Sequence, residues 1–176
     1  MSLAMSKRHS RLFRECIETI VMTLVVFIFL VTFVVQGFKV YGSCMEPNLH
    51  TGERVLGNKF IYHFEKVDRG DIVVFKYPPD PRKVFIKRVV ALPGDTVEIH
   101  RGKLVVNKKP MAEGYVKTIP HGDFPRQRVT PGHVFVLGDN RDESNDSRFW
   151  GELPIDNIQA RAWLRYWPIG KLAVFK

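Results

Sequence analysis

The 176-residue sequence predicts a mostly β fold behind a single N-terminal membrane-spanning helix. Three observations predict it. An uncharged apolar block, residues 20–35 (IVMTLVVFIFLVTFVV), stands near the N-terminus without glycine or proline. After it, no long stretch carries the 3.6-residue apolar period of an amphipathic helix. Instead, short apolar runs are broken by glycine and proline at strand spacing. With 45% of residues apolar and 26% charged, the chain can build a core and is not globally disordered. Its two cysteines exclude a disulfide-rich framework and a four-cysteine zinc site.

Taken in order, residues 1–18 form a short segment in which Lys7, Arg8, Arg11 and Arg14 outweigh Glu15 and Glu18. That excess predicts a cytoplasmic N-terminus. Residues 19–37 then read as an anchor, about 28 Å long as a helix against a hydrocarbon layer of about 30 Å. A buried soluble helix would show a polar face, and a cleaved leader would end in small residues. The exit here is the bulky VVQGFKV. Residues 38–176 follow as an extracytoplasmic β-rich domain, so the expected location is a cell membrane, crossed once.

Within that domain, strands are expected at 38–41, 54–57, 71–77, 84–91, 96–100, 103–106, 133–137 and 158–166. Residues 99–104 read as a hairpin turn with Gly102 at the left-handed position. The run Pro78-Pro79-Asp80-Pro81 reads as a stiff loop, and residues 109–123 as a less regular excursion. The net charge of +9 is scattered rather than clustered on a docking element. A nucleic-acid partner is therefore not expected; anionic lipid headgroups or ordinary solvation account for the charge. A spanning helix would hold Cys16 and Cys44 too far apart to pair, leaving Cys44 a free thiol.

Three segments carry residues capable of chemistry. In Gly42-Ser43-Cys44-Met45-Glu46-Pro47-Asn48-Leu49, Gly42 and Pro47 bracket a tight turn. A nucleophile there can be exposed with its own N–H aimed at a developing oxyanion; a plain turn around a buried cysteine is the alternative. Met45 reads as a soft side chain that lines a pocket or meets lipid. In Val84-Phe85-Ile86-Lys87-Arg88-Val89-Val90, strand alternation puts one cation among apolar neighbours. A buried lysine can act as a base, whereas an edge lysine simply reaches solvent. The run Gly138-Asp139-Asn140-Arg141-Asp142-Glu143-Ser144-Asn145-Asp146-Ser147-Arg148 lacks the spacing of a calcium loop. It reads as a self-neutralising hydrogen-bonded loop, or as a solvated turn.

Together with residues 69–75 (RGDIVVF) and 87–95 (KRVVALPGD), these segments resemble, in order, the motifs of bacterial type I signal peptidases. The resemblance implies a β-rich signal-peptidase-like catalytic domain with one N-terminal transmembrane helix. It implies a membrane-bound endopeptidase that removes signal peptides from exported preproteins after small residues. Lys87 falls on the general base, and Ser144 on the hydroxyl that orients it. Arg88, Asp142, Asp146 and Arg148 fall on positions that hold the active-site loop. Gly42 stands where some members carry a second oxyanion hydroxyl, and Asn48 where threonine is usual. The implied partners are signal peptides, an anionic membrane and the export machinery; no cofactor or metal is implied.

Cys44 is the large departure, because the family nucleophile at this place is serine. Ser43 would face the opposite way on an extended segment. A thiol is a stronger acid than an ammonium, with reference values of about 8.5 and 10.4, so such a pair can rest as thiolate and ammonium. Two other readings stay open: a relative specialised for pilin or conjugation proteins, and a catalytically silent anchored binding or assembly protein.

Overall fold

The computed structural model describes residues 2–116 and 122–175; the side chains of residues 2–12 and 31–33 are outside the description. A long helix, α1 (Ser2–Phe33), leads directly into strand β1 (Val35–Lys39). Then follow β2 (Arg54–Asn58), β3 (Ile72–Lys76), β4 (Val84–Ala91), β5 (Thr96–His100), β6 (Lys103–Val106), β7 (Lys109–Pro110), β8 (Phe124–Arg128) and β9 (His133–Leu137). The one-turn helix α2 (Ser147–Trp150) precedes β10 (Leu153–Pro154), β11 (Ile158–Trp167) and β12 (Ala173–Val174).

The strands form two sheets. The larger runs β1-β2-β11-β3-β4-β9-β10, with β12 beside β11; the smaller runs β7-β6-β5-β8. All pairings are antiparallel among the described residues. β3 is central, and its Ile72, Val73, Val74 and Phe75 are all buried, as a strand covered on both faces requires. β5 and β6 bury alternate residues instead, closing Val97, Ile99, Leu104 and Val106 over Phe135 and Leu137. A separate cluster of Val40, Met45, Leu49, Val55, Ile72, Val74 and Ala162 fills the space beneath the turn that follows β1.

The membrane anchor expected over residues 19–37 is corrected by this structure. α1 stops at Phe33, and Val35, Gln36 and Gly37 pair with Asn58, Gly57 and Leu56 of β2. The end of the apolar block is thus part of a sheet. Among the described residues, no helix is long and apolar enough to cross a membrane. The described side chains of α1, residues 13–30, include Arg14, Glu15 and Glu18. The uncharged remainder of α1, 19–33, rises about 22 Å, short of about 30 Å of hydrocarbon. The transmembrane helix in the expected fold class, the membrane-bound description and the single-pass location rested on that anchor and are corrected with it. The side chains of Lys7, Arg8 and Arg11, on which the orientation rested, lie outside the described residues.

Candidate active site

The turn after β1 is built from the inside. Val40, Met45 and Leu49 are buried and anchor it to the core. Gly42 takes φ +84°, a conformation glycine adopts without a Cβ penalty. Backbone N–H groups of Glu46 and Leu49 donate to the carbonyls of Ser43 and Met45 at 3.0 and 2.8 Å. Met45, expected to line a pocket, is 0% exposed, so its side chain holds the turn rather than facing a ligand.

This anchoring presents the Cys44 side chain to β4. Lys87, 3% exposed, donates from Nζ to Cys44 Sγ at 2.9 Å and to the Ile86 carbonyl at 3.1 Å. Its Nζ also lies 5.3 Å from the centroid of the Phe85 ring, near enough for a cation–π contact. Among the described residues, no hydrogen bond joins Ser43 to Lys87, and none takes up the backbone N–H of Cys44.

Ser144 is brought to the site without the bond expected of it. It is buried, and its Oγ has no hydrogen-bond partner among the described residues, because Lys87 has turned to Sγ and the Ile86 carbonyl. Gly138 explains the close fit: a Cβ added there would meet Ser144 Oγ at 2.2 Å and the Cys44 carbonyl oxygen at 2.6 Å. The same loop grips the turn after β1 through backbone, the N–H of Asn140 donating to the Cys44 carbonyl at 3.0 Å. Asn140 Nδ2 donates to the Ser43 carbonyl at 3.2 Å.

Behind the site, the charged residues pair off. Arg88 meets Asp139 as a two-pronged pair at 2.8 and 2.7 Å and donates to the Gly70 carbonyl at 3.0 Å. Asn48 donates to the same Asp139 at 2.8 Å and, also at 2.8 Å, to the Tyr115 carbonyl. Asp146 accepts from Gly138 N–H at 3.0 Å and from Arg148 Nε at 2.8 Å. Arg148 also donates to the Arg141 carbonyl. Arg141, fully buried, pairs with Glu113. Burial, and then the adjacent Glu113 charge, push the Tyr115 phenol above its ordinary range, keeping it a donor to Glu113 at 2.9 Å. Asp142 is exposed and engaged in its own interaction.

The expected pairing of Arg88 with the acidic loop is therefore present. Its partner Asp139, the Arg141–Glu113 pair and the bonds of Asn48 were not singled out. The signal available for Asp139 was its place in the quoted loop; Glu113 had none, standing in an irregular segment.

Above the dyad lies a groove of about 620 Å³. One wall is Phe38, Val40 and Gly42; the other is Val84, Phe85 and Ile86, with Cys44, Lys87, Glu143 and Asn145 also lining it. β1 ends the larger sheet, and β9 pairs only with Arg88, Val89 and Ala91 of β4. Two strand edges thus face the groove without partners among the described residues. The open stretch of β4 is 84–87, and Tyr77 stacks against Phe85 there with ring centroids 4.4 Å apart. Among the described residues, no group of three or more His, Cys, Asp or Glu could hold a metal ion.

A lysine-paired thiol below two open strand edges suits a hydrolase of extended peptides. Comparison with known proteins agrees. Residues 13–167 match the family described as signal peptidase, peptidase S26. The chain is 37% identical over 165 residues to a signal peptidase I of Leptolyngbya laminosa, covering 90% of this chain and 81% of that protein. It is 39% identical over 166 residues to a probable signal peptidase I-1 of Synechocystis sp., covering 90% and 84%. A solved signal peptidase I structure from Enterococcus faecalis aligns with a TM-score of 0.50 at 30% identity, covering 55% of this chain and 97% of that one. The chain belongs to the signal peptidase family, peptidase S26, and is a signal-peptidase-like protease.

Proposed function

We propose that the chain cleaves signal peptides from exported preproteins after small residues, with Cys44 as nucleophile and Lys87 as base. One observation carries the proposal: Lys87 Nζ lies 2.9 Å from Cys44 Sγ at the groove floor. The substrate adds as a strand between the edges at 38–42 and 84–87. The thiol proton passes to the Lys87 amine as Sγ attacks the scissile carbonyl carbon. The resulting oxyanion accepts from the unclaimed backbone N–H of Cys44, and Gly42 adds no hydroxyl. The C–N bond breaks, Lys87 returns the proton to the leaving amine, and a thioester remains. Lys87 then takes a proton from water as its oxygen attacks the thioester carbon; the C–S bond breaks, the acid product leaves, and Lys87 returns the proton to the sulfur.

In this reading, Ser144 accepts from Lys87 once the amine swings away from Sγ, which leaves its hydroxyl free at rest. Arg88, Asp142, Asp146 and Arg148 hold the loop, and Met45 positions the turn from inside. Neither anionic lipid nor the export machinery enters this reading, which rests on the groove and the dyad. A relative specialised for pilin or conjugation proteins would share the chemistry and differ only in substrates.

The deciding measurement is cleavage of a signal-peptide substrate by the chain, by Cys44→Ser and by Lys87→Ala. Lys87→Ala is expected to lose at least about a hundredfold in kcat. Full activity in Lys87→Ala would refute the dyad. If neither the chain nor Cys44→Ser cleaves, and Cys44 reacts with a thiol reagent no faster than a free model thiol, the silent binding protein is the better account.

A further inference from the structure

The geometry points to Glu143 as a specificity determinant that selects substrates with a lysine or arginine side chain close to the scissile bond; this rests on the peptide-cleaving role of the groove. Glu143 is exposed and lines the same groove as Cys44 and Lys87. It is the acid of its loop left without a partner among the described residues. Asp139 is held by Arg88, Asp146 by Arg148, and Asp142 is engaged elsewhere.

The exposed Lys39 also lines the groove, but its Nζ lies 5.2 Å from the Tyr41 ring centroid and makes no ion pair with Glu143 among the described residues. Lys87 is taken by Cys44 and the Ile86 carbonyl, and Arg141 by Glu113. The walls nearby are apolar, with Phe38, Val40, Val74 and Ile86 among them. A peptide seated between those walls excludes water, which strengthens whatever charge interaction remains. A carboxylate so placed attracts a cationic side chain and repels an acidic one. Rim charges of this kind set selectivity and encounter rate more than raw affinity. Because Glu143 adjoins Ser144, which packs against Gly138 beside the Cys44 carbonyl, the selected residue lies within a few positions of the cut rather than far upstream.

The test uses the full chain and a peptide series carrying Lys, Gln or Glu at each position from two before to three after the cleaved bond. Two readouts are taken: kcat/KM for cleavage, and the Kd of matching peptides made uncleavable at that bond. At one position or more, Lys is expected to exceed Glu by roughly tenfold, as attraction and repulsion of about 0.2–1 kcal/mol each would give. The ratio should shrink as salt rises. Glu143→Gln should collapse it toward unity and Glu143→Lys should invert it. A ratio unchanged in Glu143→Gln, or no charge preference at any position, overturns the inference while leaving cleavage intact. A charge preference in binding, lost in Glu143→Gln, from a chain that cleaves nothing sustains the inference and sinks the catalytic reading. Absence of both binding and cleavage overturns both.

Discussion

Replacing Gly138 by alanine tests whether the acidic loop and the nucleophile turn are fitted backbone to backbone. The new methyl would meet Ser144 Oγ at 2.2 Å, Ser144 Cβ at 2.5 Å and the Cys44 carbonyl oxygen at 2.6 Å. Ordinary contact for such atoms is about 3.5–4.0 Å, so each gap must open by about an ångström. Ser144 Oγ can turn about its one torsion, but Ser144 Cβ and the Cys44 carbonyl oxygen are fixed to backbone, so the loop itself must move. That movement pulls on the Asn140–Cys44 bond at 3.0 Å and the Gly138–Asp146 bond at 3.0 Å. Overpacking costs about 1–3 kcal/mol, and each weakened hydrogen bond about 0.5–1.5 kcal/mol. The expected loss is about 2–5 kcal/mol in urea denaturation. Because the Cys44 carbonyl is one of the displaced groups, kcat on a signal peptide should also fall by about a hundredfold. Gly114→Ala, where an added Cβ meets nothing within 4 Å, is the control and should stay within about 0.5 kcal/mol. A Gly138→Ala variant as stable and as active as its parent would refute the close fit.

Three further outcomes follow from the same geometry. Arg88→Met leaves the carboxylate of Asp139, whose side chain is 0% exposed, without its guanidinium; about 3–5 kcal/mol should be lost, and a loss below about 1 kcal/mol in urea would contradict the pairing. Burial alone would raise the Glu53 carboxyl, but the His50 backbone N–H, Arg165 and Lys171 outweigh it and hold it below its ordinary 4.5. Its contribution is therefore present above about pH 4.5 and lost as pH falls through the lower folded value. Urea midpoints across the acid range should drop less steeply for Glu53→Gln than for the parent, and parallel curves would count against it. Cys44→Ser should change stability by less than about 1 kcal/mol while changing the rate and pH dependence of cleavage; a large stability loss would show that the sulfur holds the turn.

Much of the fold was written in local pattern. β4, β5, β6 and β9 occupy the expected residues, since alternation and flanking turn residues are signals of short range. β1 lies at Val35–Lys39, displaced toward the N-terminus from the expected 38–41, because its valine is continuous with the apolar block and nothing local separates helix from strand. β8, with sequence FPRQR, escaped notice because proline and arginine hide an edge strand. The residues of the Cys44–Lys87 contact drew notice for another reason: they sit in segments with a family pattern. The pairs that brace it join residues far apart in sequence, Arg141 with Glu113 and Arg165 with Glu53. Such pairs leave no periodic trace, and only the folded chain brings them together.

The frame around position 44 is made almost wholly of groups other than its side chain. The Cys44 carbonyl is held by Asn140, the Ser43 carbonyl by Asn140 and Glu46, and the turn by buried Met45 and Leu49. The sulfur itself meets Lys87 at 2.9 Å and the Ile86 carbonyl at 3.8 Å. A hydroxyl in its place would inherit the same turn, the same open N–H and the same lysine. Thiol against hydroxyl is therefore a question of acidity, nucleophilicity and atom size within a fixed frame. That separation lets kinetics on Cys44→Ser be read as chemistry, provided the two chains unfold alike.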